Sequence, residues 1–225
     1  MIRVKICCIS SIEEAGLAIR YGASAIGLVS EMPSGPGVID DELITEIVSR
    51  VPPPIATFLL TSKQNADEII FQHLKTNTTT LQLVDSLPQN ELTKLKQKLP
   101  AIKLVQVIHV LNETSIDEAM KVQHFVDALL LDSGNPRLKV KELGGTGRTH
   151  NWEISRSIVE SADIPVFLAG GLSVENIDEA IETVQPFGLD ICSGVRTNGL
   201  LDEGKLKAFM GKAHIFNLNS QNKKK

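Results

Sequence analysis

The chain has 225 residues, a formal net charge of −4, and 42% hydrophobic against 22% charged residues. That length suits one barrel or α/β domain with a sizeable core, and the acidic balance gives no electrostatic handle to nucleic acid or an anionic membrane. Three cysteines, Cys7, Cys8 and Cys192, form no CxxC pair and have no histidine at ligand spacing, so the expectation is no disulfide framework, no metal site and a reducing, cytoplasmic setting.

Neither a secretion signal nor a membrane span is read at the start of the chain. "VKICCI" reads instead as a buried strand, β-branched and without sustained alternation. "SSIEEAGLAIRYG" follows as a helix with a serine cap, acids in its first turn and Gly22 as terminator. "ASAIGLVS" predicts a strand and "DDELITEIVSRV" a helix stopped by Pro52 to Pro54. The alternation continues through "IATFLL", "ADEIIFQHLKT", "TTLQLV", "PQNELTKLKQKL", "KLVQVIHV", "SIDEAMKVQHF", "DALLLD", "NWEISRSIVESA", "PVFLAG", "SVENIDEAIETV", "GLDICSG" and "DEGKLKAFMGK". Strands alternating with helices imply parallel pairing with right-handed crossovers. Eight such units, with no intervening hairpin signal, predict a single (β/α)8 TIM barrel over residues 1–213, an open doubly wound sheet being the alternative. Residues 214–225, "HIFNLNSQNKKK", read as a polar, frayed tail.

In a barrel, function gathers where strands end and the following loops begin. Gly170 and Gly171 close one predicted strand, Ser193 and Gly194 the next. Glycines let backbone N–H groups approach an anion, and these two loops are the usual phosphate site of the fold. A sugar phosphate or other small phosphorylated molecule is therefore the expected partner, with no cofactor and no metal required. Asp132 ends "DALLLD", where partial desolvation would fit a carboxyl for acid–base work. Downstream, "ELGGTGRTHNW" makes a glycine-rich loop containing Gly145 and Arg148, the latter available for an anion; it lacks the GK[ST] ending of a nucleotide loop.

"KIC", "GASAIGLV", "LLLDS", "GGTG", "NW", "LAGGLSVENI" and "D-x-x-SGV" occur in the order found in phosphoribosylanthranilate isomerases, which this chain resembles to about Phe209. The resemblance implies a (β/α)8 enzyme of tryptophan biosynthesis. Its reaction is an Amadori rearrangement of N-(5-phosphoribosyl)anthranilate to an aminoketose phosphate. It implies Cys7 as the general base at sugar C2 and Asp132 as the general acid at the ring oxygen, with phosphate on Gly170, Gly171, Ser193 and Gly194. Lys5, Gln82, His109, Gly145, Arg148 and Arg196 complete the expected substrate-facing set. Successive strand residues point to opposite faces, so Cys8 is expected to pack away from Cys7 as an inert thiol.

The pattern departs from the family at several points. Cys8 stands for the family's glycine, and Pro36 for the arginine expected to meet the anthranilate carboxylate. Val84 and Asp85 replace a His-Gly pair, and Cys192 and Arg196 replace serine and glutamate. These changes keep open an isomerase acting on another aminoaldose phosphate, or a non-catalytic phosphate-binding barrel. A monomer and a homodimer are both compatible with the apolar helix faces.

Overall fold

The computed structural model describes residues 2–222, with side chains through 218. β1 (Arg3–Ile6), β2 (Ala25–Val29), β3 (Ala56–Thr61), β4 (Thr80–Leu83), β5 (Lys103–His109), β6 (Ala128–Asp132), β7 (Val166–Leu168) and β8 (Gly188–Ile191) pair in that order as parallel neighbours. β8 returns to β1 and closes the barrel, so the open sheet is excluded. Between and after the strands run α1 (Ile12–Arg20), α2 (Asp41–Ser49), α3 (Ala66–Thr76), α4 (Gln89–Lys98), α5 (Thr114–Val122), α6 (Trp152–Ser161), α7 (Ile177–Val184) and α8 (Glu203–Asn222).

Local chemistry places the helices. Ser11 accepts the Glu14 amide at 3.2 Å and Asp40 accepts that of Leu43 at 2.7 Å, each satisfying a donor the first helical turn leaves orphaned. α7 buries Ile177, Ala180, Ile181 and Val184, the three- and four-residue spacing of one helical face. These faces pack on the outside of the strands. Within the barrel a second cluster joins Val29, Phe58, Leu60, Val105, Leu130 and Phe167. The interior is thus filled by alternate strand residues rather than left as a pore.

Two expectations are corrected. A hairpin was not anticipated, yet β9 (Arg196–Thr197) pairs antiparallel with β10 (Leu200–Leu201). Its turn is Asn198-Gly199, with φ of 52° and 81°; this Asn-Gly pair is the sequence signal for a primed two-residue turn. The polar stretch after residue 213 also does not fray at once, because α8 continues to Asn222. Phe216 packs against the core, and Asn217 spans the N-terminal backbone, Oδ1 accepting from the Ile2 amide at 2.5 Å and Nδ2 donating to its carbonyl at 3.1 Å. Residues 223–225 of the expected tail lie outside the described residues. No helix of the described residues is long and apolar enough to cross a membrane.

Replacing Asn217 by alanine removes both bonds to Ile2, and each is worth about 1 kcal/mol. Thermal unfolding of N217A is expected to shift down by roughly 2–8 °C for a domain of this size; an unchanged midpoint would show that the end of α8 adds nothing to the barrel.

Candidate active site

At the bottom of the mouth, Lys5 and Asp190 are register partners on β1 and β8. Lys5 has no exposed surface, and its Nζ lies 2.7 Å from Asp190 Oδ2 and 3.5 Å from Cys7 Sγ. Burial alone pulls the ammonium's pKa down, but Asp190 and the neighbouring thiols raise it above the ordinary lysine range. Gly27 on β2 makes room for this group. A Cβ there would fall 2.8 Å from Cys7 Sγ and 3.0 Å from Lys5 Cε. The glycine of "AIGLV" is therefore a steric requirement of the lysine and cysteine beside it.

One level higher, Cys7 and Asp132 line the same cavity at the barrel mouth. Asp132 is buried, and its Oδ1 accepts the Ser133 amide at 2.8 Å. Desolvation raises its pKa, opposed by that hydrogen bond and by the nearby His109 and Lys5, and reinforced by Asp190. A Cβ on Gly144 would come 2.8 Å from Asp132 Oδ2, and one on Gly170 would come 3.1 Å from Oδ1. Glycines from two loops thus close around the carboxyl. Gln82 also lines the cavity, with its Oε1 buried and without a hydrogen-bond partner.

The two glycine-bearing strand ends meet as expected. Gly170, Gly171 and Ser193 line the cavity, and Gly194 lies so close to β7's loop that a Cβ would overlap the Leu172 carbonyl oxygen. Gly171, at φ 63°, is crossed by the Arg148–Thr149 backbone, which a Cβ would meet at 2.5 Å. Gly145 also lines the cavity and touches Pro36.

Four expected substrate contacts are placed elsewhere. Lys5 lies beneath Cys7 in the barrel interior, fully covered, because Asp190 and Gly27 form a niche for its chain. His109 is buried behind β4, where its Nε2 bonds the Val84 carbonyl at 3.0 Å. Arg148 points to the surface and pairs with Glu142 at 2.5 Å. Arg196 is buried in a bidentate pair with Glu14 at 2.9 and 3.0 Å, and its Nη2 donates to the carbonyls of Cys7 at 3.3 Å and Cys8 at 2.5 Å. It fastens the loop after β1 instead of facing the cavity.

Cys8 also departs from expectation. β1 ends at Ile6, so strand alternation no longer governs Cys8, which adopts φ 60° and lines the cavity mouth. The family glycine is thus replaced by a side chain in a left-handed conformation, which costs about 1–2 kcal/mol.

The chain matches known proteins over almost its whole length. The family model for N-(5'-phosphoribosyl)anthranilate (PRA) isomerase matches residues 4–212. The chain belongs to the phosphoribosylanthranilate isomerase family. It is 37% identical to N-(5'-phosphoribosyl)anthranilate isomerase 2 of Methanosarcina mazei over 94% of this chain and 93% of that protein. It is 34% identical to the isomerase of Haloarcula marismortui over 88% and 89% of the two chains. Among solved structures, the phosphoribosylanthranilate isomerase of Thermotoga maritima superposes with a TM-score of 0.82 at 28% identity, over 95% of this chain and 99% of that one. A phosphoribosylanthranilate isomerase in complex with reduced 1-(o-carboxyphenylamino)-1-deoxyribulose 5-phosphate aligns at TM-score 0.80 and 26% identity, covering 95% and 99%.

Within this family fold, Asp190 is the site residue that sequence reasoning missed. The signal was present as a shared spacing, "KIC" on β1 and "DIC" on β8, which closure of the barrel sets side by side.

Because burial raises the Asp132 pKa, its ionised form is destabilising in the folded chain. The native state binds the proton more tightly than the unfolded state, so this contribution to stability falls as pH rises above the unfolded carboxyl pKa of about 3.9. Asp132→Asn is therefore expected to be more stable than the parent at neutral pH in urea unfolding. That advantage should shrink toward pH 3.5; a constant difference across pH would refute the assignment.

Proposed function

We propose that this chain isomerises N-(5'-phosphoribosyl)anthranilate to 1-(o-carboxyphenylamino)-1-deoxyribulose 5-phosphate, with Asp132 as general acid and Cys7 as general base. The observation that carries the reading is that both groups line one cavity at the barrel mouth of a family member. The raised pKa of Asp132 keeps its carboxyl protonated to a higher pH than an exposed aspartate. It delivers that proton to the furanose oxygen as the C1–O bond breaks, while the amine nitrogen's electrons form C1=N. Cys7 then removes the proton from C2, and the electrons pass toward nitrogen to leave an enolamine. Tautomerisation of the enolamine yields the ketose. Lys5 supports the base from below, its Nζ 3.5 Å from the Cys7 sulfur.

The phosphate is assigned to the loops after β7 and β8, where backbone N–H groups of Gly170, Gly171, Ser193 and Gly194 can approach it closely. The loops after β2 and β6 meet at this site, with the Ser34 hydroxyl on the Lys141 carbonyl at 2.6 Å and Pro36 against Gly145.

One observation favours a second reading of the aglycone. Pro36 and Val84 both line the cavity, and among the described residues its charged side chains are two carboxylates, Asp132 and Asp190. A substrate without the aryl carboxylate would need no cation there.

The test follows loss of phosphoribosylanthranilate fluorescence, with phosphoribosylaniline compared in parallel. Cys7→Ser and Asp132→Asn are each expected to lower kcat by about 100- to 10,000-fold. Unaltered turnover in Cys7→Ser would sink the base assignment. Preference for the aniline substrate would move the reading to the second aglycone class.

A further inference from the structure

Cys8 and Cys192 are thiols for which the isomerisation has no use. β1 and β8 are neighbours, with Ile6 opposite Ile191 and the Cys7 amide donating to the Ile191 carbonyl at 2.8 Å. The register sets Cys192 opposite Cys7 and diagonal to Cys8; strand and residue spacings then put the Cys8 and Cys192 Cα atoms about 6 Å apart, within the ~4.4–6.8 Å that disulfides span. Cys8 leaves the strand at φ 60°, and its thiol lies close enough to that of Cys192 for each to perturb the other's protonation. Both line one side cavity with Ser10, Gly37 and Arg196, which adjoins the cavity around Asp132 that the two cysteines also line. All three cysteines are free.

We propose that Cys192 and Cys8 form an oxidation site, a nucleophile and its resolving partner that close to a disulfide when a peroxide reaches the side cavity. Arg196 fixes the geometry: its Nη2 bonds the Cys8 carbonyl while its Nη1 is tied to Glu14. The two thiols are also unlike. The neighbouring Cys8 thiol draws the Cys192 pKa down; burial opposes that shift and Arg196 adds to it. Cys192, Cys7 and burial together push the Cys8 pKa up. The thiolate is the species that peroxide oxidises.

The step balances. Cys192 sulfur attacks one peroxide oxygen, the O–O bond breaks, and hydroxide leaves to be protonated. Cys8 sulfur then attacks the sulfenic sulfur, the S–O bond breaks, and water departs with the Cys8 proton. Two thiols lose two electrons, and one hydrogen peroxide becomes two waters. The new bond would tie the loop after β1 to that after β8, between Cys7 and Ser193. Its effect on activity rests on the isomerase reading; formation of the bond does not.

The full chain, reduced and desalted, is treated with stoichiometric hydrogen peroxide, and its intact mass is measured. The expected result is loss of two hydrogens, reversed by dithiothreitol. Trypsin should then yield residues 6–20 cross-linked to residues 157–196. The link should survive Cys7→Ser and disappear in Cys8→Ala and Cys192→Ala. Should either alanine variant fail to fold, fragmentation of the wild-type cross-linked peptide assigns the bond to Cys8 or Cys7. No mass loss, a bond through Cys7, or oxygen addition without cross-linking would each overturn the proposal. Turnover of phosphoribosylanthranilate should fall about a hundredfold on oxidation, the scale of a 1 Å misplacement at a reacting centre, and return with dithiothreitol. A chain inactive toward that substrate from the outset fails the isomerase reading, while the mass and peptide results still decide the disulfide.

Discussion

The ion pair between Lys5 and Asp190 governs how the interior of this barrel can be built. Moving two charges out of water costs several kcal/mol per ion, and only close pairing with further hydrogen bonds offsets it. Here the pair joins β1 to β8, the two strands whose meeting closes the barrel. Removing either partner strands a charge among apolar side chains, typically at about 3–5 kcal/mol. The pair therefore imposes conditions on its neighbours. β2 must carry glycine at position 27, because the lysine chain and the Cys7 sulfur occupy the space a side chain would take. Asp190 Oδ1 is left buried without a partner at the cavity wall.

A second, smaller arrangement supports the mouth from outside. Arg196 stands at the start of the β9–β10 hairpin and reaches back to Glu14 of α1 and to the carbonyls of Cys7 and Cys8. Glu14 in turn accepts the Ser10 and Leu201 amides at 3.0 and 2.8 Å. The carboxylate thus bridges the loop after β1 and the hairpin after β8, and a guanidinium in bidentate contact fills the centre. This explains how the chain tolerates a left-handed cysteine: the surrounding hydrogen bonds over-determine the loop, as strained backbone requires.

Much of this was legible in the sequence because the barrel's signals are local. Alternating apolar and amphipathic runs, capping residues such as Ser11 and Asp40, and glycines at strand ends all act over a few residues, and they located the strands, Cys7, Asp132 and the paired glycine loops. What escaped depends on contacts between distant segments. Lys5 and Arg196 read as free cations because their partners, Asp190 and Glu14, lie 185 and 182 positions away in sequence. Cys8 was misjudged because strand alternation was extended past Ile6, where the strand stops. The hairpin is local, and its Asn-Gly turn is a signal that strand–helix alternation alone does not include. The tail was read from its polarity, while the two bonds of Asn217 to Ile2 depend on the far end of the chain.

The same charge arrangement bears on how a cavity walled by two carboxylates can accept a phosphorylated ligand. Asp190 is neutralised by Lys5 beneath it, and the raised pKa of Asp132 favours its uncharged form. The acidic pair therefore presents far less negative field to an anion than its composition suggests. On the proposed reading, phosphate is held by backbone dipoles at the ends of β7 and β8, where the lack of a Cβ at Gly170, Gly171 and Gly194 lets the Ser133, Arg148–Thr149 and Leu172 segments pack closely. Burial would serve both ends of the proposed site: the desolvation that raises the Asp132 pKa would also let uncharged amides act strongly on a phosphate, because both effects grow as water is excluded.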